Sequence, residues 1–334
     1  MGRLLLRRLL MIVPLLVGIT LLTFLLSRVI PADPARLIAG PRASAEGVEK
    51  VRKAYGLDLP LWKQYLRYVA GLVRLDFGES YLSRRAVTQD LADFLPATAE
   101  LALVALVLAI AGGIAVGMAS AVWQNSWIDQ LGRFFAITGL SMPAFWLALL
   151  AQLLLYQRLG WLPFGGRLGE NSVAPPRVTG FLTLDCLLTR NWATLADALR
   201  HLLLPALVLG LEPLAVLARI VRTSMLEIMR EQYIVTARAK GLRERTVVLR
   251  HALRNAMIPV VTMIGLQIGY MLGGAVLVES VFAWPGIGRY SARAIVSADY
   301  NAVMGVTVVI ALIYLVTNVL VDIVYAWVDP RIRY

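Results

Sequence analysis

The stretch "REQYIVTARAKGLRERTVVLRHALRNAMIP", residues 230–259, lies between two long apolar segments of the chain. It carries more Arg and Lys than acidic residues, and its apolar positions recur at helical spacing. Gly241 interrupts the pattern, and Arg238 and Lys240 lie just before it. A glycine that follows basic residues in the last turn of a helical pattern is typical of a helix end. The stretch therefore predicts two helices that are joined by a turn at Gly241.

The composition places this helical hairpin in a membrane protein. Of the 334 residues, 59% are hydrophobic and 16% are charged, which lies outside the range of soluble domains. Apolar runs of about 20 residues are long enough to cross a hydrocarbon core of ~30 Å. Six such runs lie at residues 9–30, 99–123, 133–157, about 198–221, 257–282 and 303–327. We predict an all-α integral membrane fold of six transmembrane helices, with kinks at Pro143, Pro205 and Pro213.

Basic residues near the span ends orient the six predicted helices. Three arginines precede the first span, two lie at the C-terminus, and residues 219–256 hold nine basic against three acidic residues. All three clusters fall on one side of the membrane, so both termini are expected in the cytoplasm (N-in/C-in). The net charge of +12 follows from these topology signals and from contact with anionic membrane lipid. We expect no nucleic acid partner.

The chain divides into two parts by composition. Residues 1–95 hold the first transmembrane helix and a large polar extracytoplasmic segment. Within this segment, apolar residues recur at helical spacing, at Leu61, Tyr65, Tyr68, Val69 and Leu72. The spacing predicts one or two amphipathic helices on the outer surface, where they would cap the bundle. Residues 96–330 hold the other five helices and a cytoplasmic loop at about 223–256.

We call residues 230–256 the knuckle. The fourth span continues toward it without Pro or Gly, so we expect one unbroken helix that ends at Gly241. A solvated, positively charged hairpin is the simplest interpretation of its charge. Six apolar positions go beyond what such a hairpin needs, at Tyr233, Ile234, Ala237, Leu242, Val247 and Val248. The small residues Ala237 and Ala239 beside the turn suit a ridge that fits a groove in another protein.

The segment "YIVTARAKGLRERTVVLRHALRNAMIPVVTMIGLQ" resembles the cytoplasmic coupling loop of permease subunits in binding-protein-dependent ABC importers of the dipeptide, oligopeptide and nickel family. The resemblance covers nearly the whole chain. It includes, in order, "ITLLTFLLSRVIPADP", "GLDLPLWKQYLRYVAGL", "LDFGESY", "VESVFAWPGIGR" and "DPRIR".

The general importer motif has Glu-Ala-Ala and then a glycine four residues after the second Ala. Counting back from Gly241, Ala237 fits the motif. Thr236 and Val235 stand where the first Ala and the Glu would be. Glu231, one turn earlier, is the candidate for the missing acidic contact.

The resemblance implies a bundle like that of type I ABC importer permeases, in the bacterial cytoplasmic (inner) membrane. It implies a coupling site for a separate ATPase subunit at Glu231, Tyr233, Ala237, Ala239, Lys240, Gly241 and Leu242. It further implies a heterodimer with a second, similar permease chain, two ATP-binding subunits that hold ATP and Mg, and an extracytoplasmic substrate-binding protein. This chain is then expected to bind no cofactor and to catalyse no reaction.

Three polar residues in the predicted spans are candidates for lining a translocation path: Glu212, Gln267 and Glu279. Glu212 lies near the middle of the fourth span beside Pro213, and Glu279 lies near the outer end of the fifth. Glu212 could attract a cationic group, pair with a buried arginine or carry a proton, and the sequence leaves these roles open. Interhelical hydrogen bonding is the default role of Gln267.

The leading functional hypothesis is an importer permease for di- or oligopeptides, or for a related solute such as a nickel chelate. The alternative is a self-sufficient secondary transporter that is coupled to protons through Glu212. That class typically shows interrupted helices in internal repeats, and no convincing repeat is present. An intramembrane enzyme would need a nucleophile with its base, or a metal site, within the spans, and His201 and His251 are too isolated to serve. The solute stays open because a separate binding protein would select it.

Overall fold

The structure is a computed structural model that describes residues 2–29, 33–40 and 42–328. The regular structure of these residues is helical, and the extended pairing found among them is the isolated bridge Glu79–Ala86. The helices are α1 (Gly2–Val29), α2 (Pro34–Ala39), α3 (Ala45–Ala54), α4 (Leu61–Val73), α5 (Val87–Val122), α6 (Trp127–Ser141), α7 (Ala144–Ala151), α8 (Leu182–Leu188), α9 (Trp192–Ile228), α10 (Gln232–Ala239), α11 (Glu244–Thr246), α12 (Arg254–Val281), α13 (Ile287–Val296) and α14 (Tyr300–Val328). Two π-helical segments, Gln152–Arg158 and Val247–Leu253, extend α7 and connect α11 to α12.

Each predicted span overlaps at least one helix of the described residues. Among the described residues, four helices are long and apolar enough to cross a membrane: Val87–Val122, Trp192–Ile228, Glu244–Met271 and Tyr300–Val321. The first predicted span corresponds to α1, which contains the apolar segment Ile12–Arg28. The basic C-terminal residues 331 and 333 lie outside the described residues. The all-α membrane class is therefore confirmed.

The third predicted span is a bent pair of helices, and the prediction of a kink at Pro143 within one helix is wrong. The pair Trp127–Ser141 and Ala144–Arg158 is bent by 110°. Met142 has φ −93° and ψ 125°, which is extended backbone. Steric clash with the proline ring disfavours helical backbone at the preceding residue, so the first helix stops there. Proline then starts α7, where its missing N–H is not needed.

The fourth span also differs from the prediction, because α9 ends at Ile228 and does not continue to Gly241. The chain turns over residues 229–231, where Glu231 is extended with φ −69° and ψ 146°. Helix α10 begins directly afterwards and buries Ile234 completely. Packing of Ile234 and Ala237 into a shared core overrides the local preference for an unbroken helix.

The chain forms two compact units. One comprises Met1–Leu95 and Arg289–Leu315. In this unit the predicted amphipathic region contains the three short helices α2 to α4. Buried polar contacts stabilise it: the Ser80 hydroxyl donates to Asp299 Oδ2 at 2.6 Å, and the Tyr290 hydroxyl donates to Asp90 Oδ2 at 3.0 Å.

The other unit comprises Pro96–Gly288 and Val316–Tyr334, and α9 is its central helix. Of the most apolar part of α9, 72% is buried within the protein. Glycines let α5 and α9 approach closely, since a Cβ at Gly113 would lie 2.7 Å from Leu217 Cβ. One end of α9 packs into the core that holds the knuckle, through Val221 and Met225.

Candidate functional site

The turn of the knuckle has the hydrogen bonds of a Schellman motif. The Gly241 amide donates to Arg238 O at 2.9 Å, and the Leu242 amide donates to Ala237 O at 3.3 Å. Gly241 has φ +76°, and a Cβ built on it would meet no atom within 4 Å. The prediction that Gly241 ends a helix with positive φ is confirmed. The helix it ends is α10.

The inner face of the knuckle belongs to the protein core. Ile234 and Val247 are fully buried, and Ala237 and Val248 are 8% and 7% exposed. These four side chains pack in one cluster with Met225 and other residues of α9. Ala237 therefore anchors the knuckle from within, and of the two alanines beside the turn only Ala239 is exposed.

The outer face of the knuckle presents apolar side chains among charged ones. Six of the predicted coupling residues are exposed: Glu231, Tyr233, Ala239, Lys240, Gly241 and Leu242. Val235, which the sequence reasoning passed over as a departure from the motif, is 52% exposed. Tyr233 and Leu242 are 40% and 41% exposed, so the knuckle carries three accessible apolar side chains. Exposed apolar positions in a charged setting are typical of a surface that docks into a partner.

An ion pair braces the turn. The Arg238 guanidinium donates to both carboxylate oxygens of Glu244, with Nη2 to Oε1 at 2.6 Å and Nε to Oε2 at 3.1 Å. This hydrogen bonding raises the pKa of Arg238 above its ordinary value. Asn255 adds a second tie by donating to the Tyr233 hydroxyl at 2.8 Å. Each of the two contacts thus links a residue before Gly241 to a residue after it.

A buried ion pair ties α9 to the start of α6 shortly before the knuckle. Asp129 is fully buried, and its Oδ1 and Oδ2 accept from Arg222 Nε at 2.7 Å and Nη2 at 2.9 Å. Ser126 caps α6 by accepting from the Asp129 amide. The spacing of Ser126 and Asp129 is a recognisable helix start. The Arg222 partner, 93 residues away, left no signal in the sequence.

Glu212 has a neutral partner. The Tyr270 hydroxyl of α12 donates to Glu212 Oε2 at 2.8 Å, and Tyr270 is 54% exposed. Among the described residues, Glu212 forms no ion pair, and its interaction is with a hydroxyl and not with a buried arginine. The carboxylate is partly accessible at the face that α9 and α12 share.

The other two path candidates are enclosed within the unit. Glu279 is fully buried, and its Oε1 accepts from the Thr98 hydroxyl at 2.5 Å. Thr98 in turn accepts from the Ile287 amide at 2.8 Å. Gln267 is 8% exposed. Glu100 is a further buried carboxylate, which the sequence did not single out. It accepts from the Thr183 amide at 2.7 Å and forms an ion pair with Arg167.

Two family descriptions cover most of the chain. Residues 113–334 match the binding-protein-dependent transport system inner membrane component family. Residues 1–102 match the N-terminal part of the binding-protein-dependent transport system membrane component.

Similar proteins are found along almost the entire length of the chain. A probable D,D-dipeptide transport system permease protein of Escherichia coli is 50% identical over 94% of this chain and 93% of its own length. A dipeptide transport system permease protein of Alkalihalophilus pseudofirmus is 42% identical over 98% of each chain. A glutathione transport system permease protein of Salmonella paratyphi A is likewise 42% identical over 98% of each chain.

Proposed function

Because the chain belongs to the binding-protein-dependent transport system inner membrane component family, we propose that it is the permease subunit of an ATP-driven importer for di- or oligopeptides or a related solute such as a nickel chelate. It is a multi-pass inner membrane protein and a transport subunit, not an enzyme. The similar proteins are named for a D,D-dipeptide, dipeptides and glutathione, all of which are small peptides. Their names favour a small peptide as the solute here.

The exposed knuckle is the observation that supports coupling to a separate ATPase. A core-anchored turn that presents Tyr233, Val235 and Leu242 to solvent has the form of an element that fits a groove in a partner. Glu231 and Lys240 are exposed in the same segment and would supply charged contacts. The partner subunits would hold ATP and Mg, and this chain would bind neither.

A continuous helical segment could transmit movement of the knuckle to the membrane-spanning part of the protein. From Glu244 to Val281 the residues are helical without a break, through α11, the π-helical segment and α12. Tyr270 lies on α12 and binds Glu212 on α9. Movement of the knuckle on ATP binding would therefore shift Tyr270 relative to Glu212 and bias the bundle between two arrangements.

The complete importer would contain four further components. We propose a second, similar permease chain, two ATP-binding subunits and an extracytoplasmic substrate-binding protein. Glu212, partly accessible on the face of α9 and α12, is placed in this scheme along the translocation path. Gln267 and Glu279, which are buried within one unit, would then act by fixing the helices that border the path.

The proposal is tested by measuring whether uptake depends on ATP or on the proton gradient. We expect uptake of a labelled dipeptide by cells that express the whole importer to persist when the proton gradient is collapsed at constant ATP. Depletion of ATP with the gradient maintained should abolish it. The Glu212→Gln variant, which keeps the acceptor for Tyr270 and loses the charge, should show the same dependence on ATP. Wild-type uptake that follows the proton gradient at constant ATP would favour the secondary transporter instead.

A further inference from the structure

A polar cavity lies in the unit of residues 1–95 and 289–315, away from the knuckle and from Glu212. Its volume is about 220 Å³. The polar side chains that line it include Arg28, Gln64, Arg67, Tyr68, Asp76 and Tyr81. The end of α1, the face of α4 and the loop before α5 supply these residues. Neither the transport mechanism nor the family resemblance assigns a role to this cavity.

Three residues of the cavity wall each have a buried polar atom with no hydrogen-bond partner: Arg28 at Nε, Gln64 at Oε1 and Tyr68 at its hydroxyl. Gln64 is 9% exposed, and its amide nitrogen is already used, since Nε2 donates to Leu57 O at 3.1 Å and to Leu59 O at 2.8 Å. Buried polar atoms are nearly always paired, because an unpaired one costs the desolvation of the group. The wall of the cavity therefore holds an unused donor on Arg28, an unused acceptor on Gln64 and an unused hydroxyl on Tyr68.

The charges around the cavity have both signs. Arg28 forms no ion pair within the described part of the chain, and its guanidinium lies 5.4 Å from the centre of the Phe24 ring. Asp76 supplies the negative charge, with Oδ1 accepting from the Gly78 amide at 2.9 Å. An arginine calls for an anionic acceptor such as a phosphate or carboxylate. The Asp76 carboxylate and the Gln64 amide oxygen both belong to the cavity lining, and together they suit a cationic N–H donor. The complementary ligand is a zwitterion with an acidic group and an ammonium group.

The position of Arg28 decides between a lipid headgroup and a dissolved zwitterion. Arg28 is the first charged residue after the uncharged run of residues 9–27, and this position places its guanidinium where the hydrocarbon layer is expected to end and headgroups to begin. Apolar side chains near it face outward: Leu21 and Leu25 on α1 are each 41% exposed, and Trp62 at the start of α4 is 62% exposed. These side chains would contact the acyl chains of a lipid whose headgroup occupies the cavity.

We propose that this cavity is a binding site for a phospholipid headgroup that carries a primary ammonium, with the phosphate on Arg28 and the ammonium between Gln64 Oε1 and Asp76. Phosphatidylethanolamine has this chemistry. Phosphatidylcholine carries the same charges, but its trimethylammonium has no N–H to donate. Phosphatidylglycerol lacks the cation. Headgroup preference is therefore the property to measure.

The experiment uses the assembled transporter in nanodiscs made from equal amounts of dioleoyl phosphatidylethanolamine, phosphatidylcholine and phosphatidylglycerol. Lipid that stays bound after detergent extraction is quantified by mass spectrometry. Wild type should retain phosphatidylethanolamine about ten-fold over phosphatidylcholine, as expected for one hydrogen bond to a charged group. Arg28→Met should lose this retention. Arg74→Met, which removes an exposed arginine at the C-terminal end of α4 that does not line the cavity, should keep it.

Three results would overturn the proposal. One is equal retention of all three lipids by wild type, a measurement that stands even if Arg28→Met fails to assemble. Another is equal retention of phosphatidylethanolamine by wild type and by a well-assembled Arg28→Met. The third is Arg28-dependent binding of free dialanine to transporter that retains no lipid, which would assign the cavity to a peptide.

Discussion

At the scale of single residues, the shape of the knuckle depends on Gly241. Its φ of +76° lies in the left-handed region, and no atom stands within 4 Å of a Cβ built there. A side chain would therefore be disfavoured by backbone strain alone, at about 1 kcal/mol and more if β-branched. That cost is small compared with the stability of a helical bundle. It acts directly on the turn that presents Leu242 and Lys240.

We expect Gly241→Val to reach the membrane in normal amounts and to lose both copurification of the ATPase and dipeptide uptake. Gly241→Asn is the matched control, because asparagine adds a side chain but tolerates positive φ. It should retain most of both activities. Arg243→Ala and Arg250→Ala, which remove charge without altering the turn, should have smaller effects. The measurements are pull-down of the ATPase and uptake of a labelled dipeptide.

Two controls separate this prediction from misfolding. The melting temperature of Gly241→Val in detergent should stay near that of wild type, and its partner permease should still copurify. Full uptake and full ATPase binding by Gly241→Val would show that the knuckle is only a solvated loop.

The conformation or contacts of a residue could be predicted from the sequence where they depend on residues nearby in the chain. The positive φ of Gly241 follows from its place after a helical pattern, so it was predictable. The inward orientation of Ala237 and the Tyr270 partner of Glu212 depend on other helices of the fold. The pair of Asp129 and Arg222 likewise joins positions 93 residues apart. Sequence spacing carries no information about such contacts without the tertiary structure.

At the scale of helices, close packing of α5 against α9 depends on small residues. A Cβ at Gly117 would lie 2.5 Å from Ala218 O and 2.7 Å from Val221 Cβ. These are backbone and branched-chain atoms that cannot move away without displacing a helix. The glycines of the stretch "GGIAVG", residues 112–117, thus lie at the contact between α5 and α9.

We expect Gly117→Ala to destabilise the protein by roughly 1–3 kcal/mol, since overpacking forces the two helices apart. The melting temperature of the purified chain in detergent should fall. Gly18→Ala in α1 is the matched control, because its Cβ would meet no atom within 4 Å and alanine favours helix more than glycine. Its melting temperature should be unchanged or higher. Equal melting temperatures for Gly117→Ala and wild type would mean that α5 and α9 are not in close contact.

The helices themselves were predictable, and their interruptions were not. Long apolar runs identify spans because each must satisfy its backbone hydrogen bonds internally. Pro143 was visible in the sequence, but whether a proline bends a helix slightly or breaks it by 110° depends on what neighbouring helices supply. The break after Ile228 has no Pro or Gly to mark it. It results from burial of Ile234, a tertiary effect.

At the scale of the whole chain, the distribution of Arg and Lys predicts how the protein is oriented in the membrane. Nine basic residues against three acidic ones lie between positions 219 and 256, which include the knuckle. The segment between the first two predicted spans is nearly balanced, and so long a loop is translocated largely regardless of its charge. The knuckle is therefore expected in the cytoplasm, where ATP is available, and the segment after α1 on the opposite side.

Single cysteines provide the test of this arrangement. The natural Cys186 is fully buried in α8, so Cys186→Ala gives a background with no thiol and little change in packing. In that background, Arg42→Cys and Arg177→Cys should react with an impermeant maleimide added to cells whose outer membrane is permeabilised and whose inner membrane is intact. Arg243→Cys should react only after the inner membrane is opened. All three arginines are exposed, so failure to react reports the side of the membrane and not burial. Labelling of position 243 from outside would place the knuckle away from ATP and remove the basis for coupling.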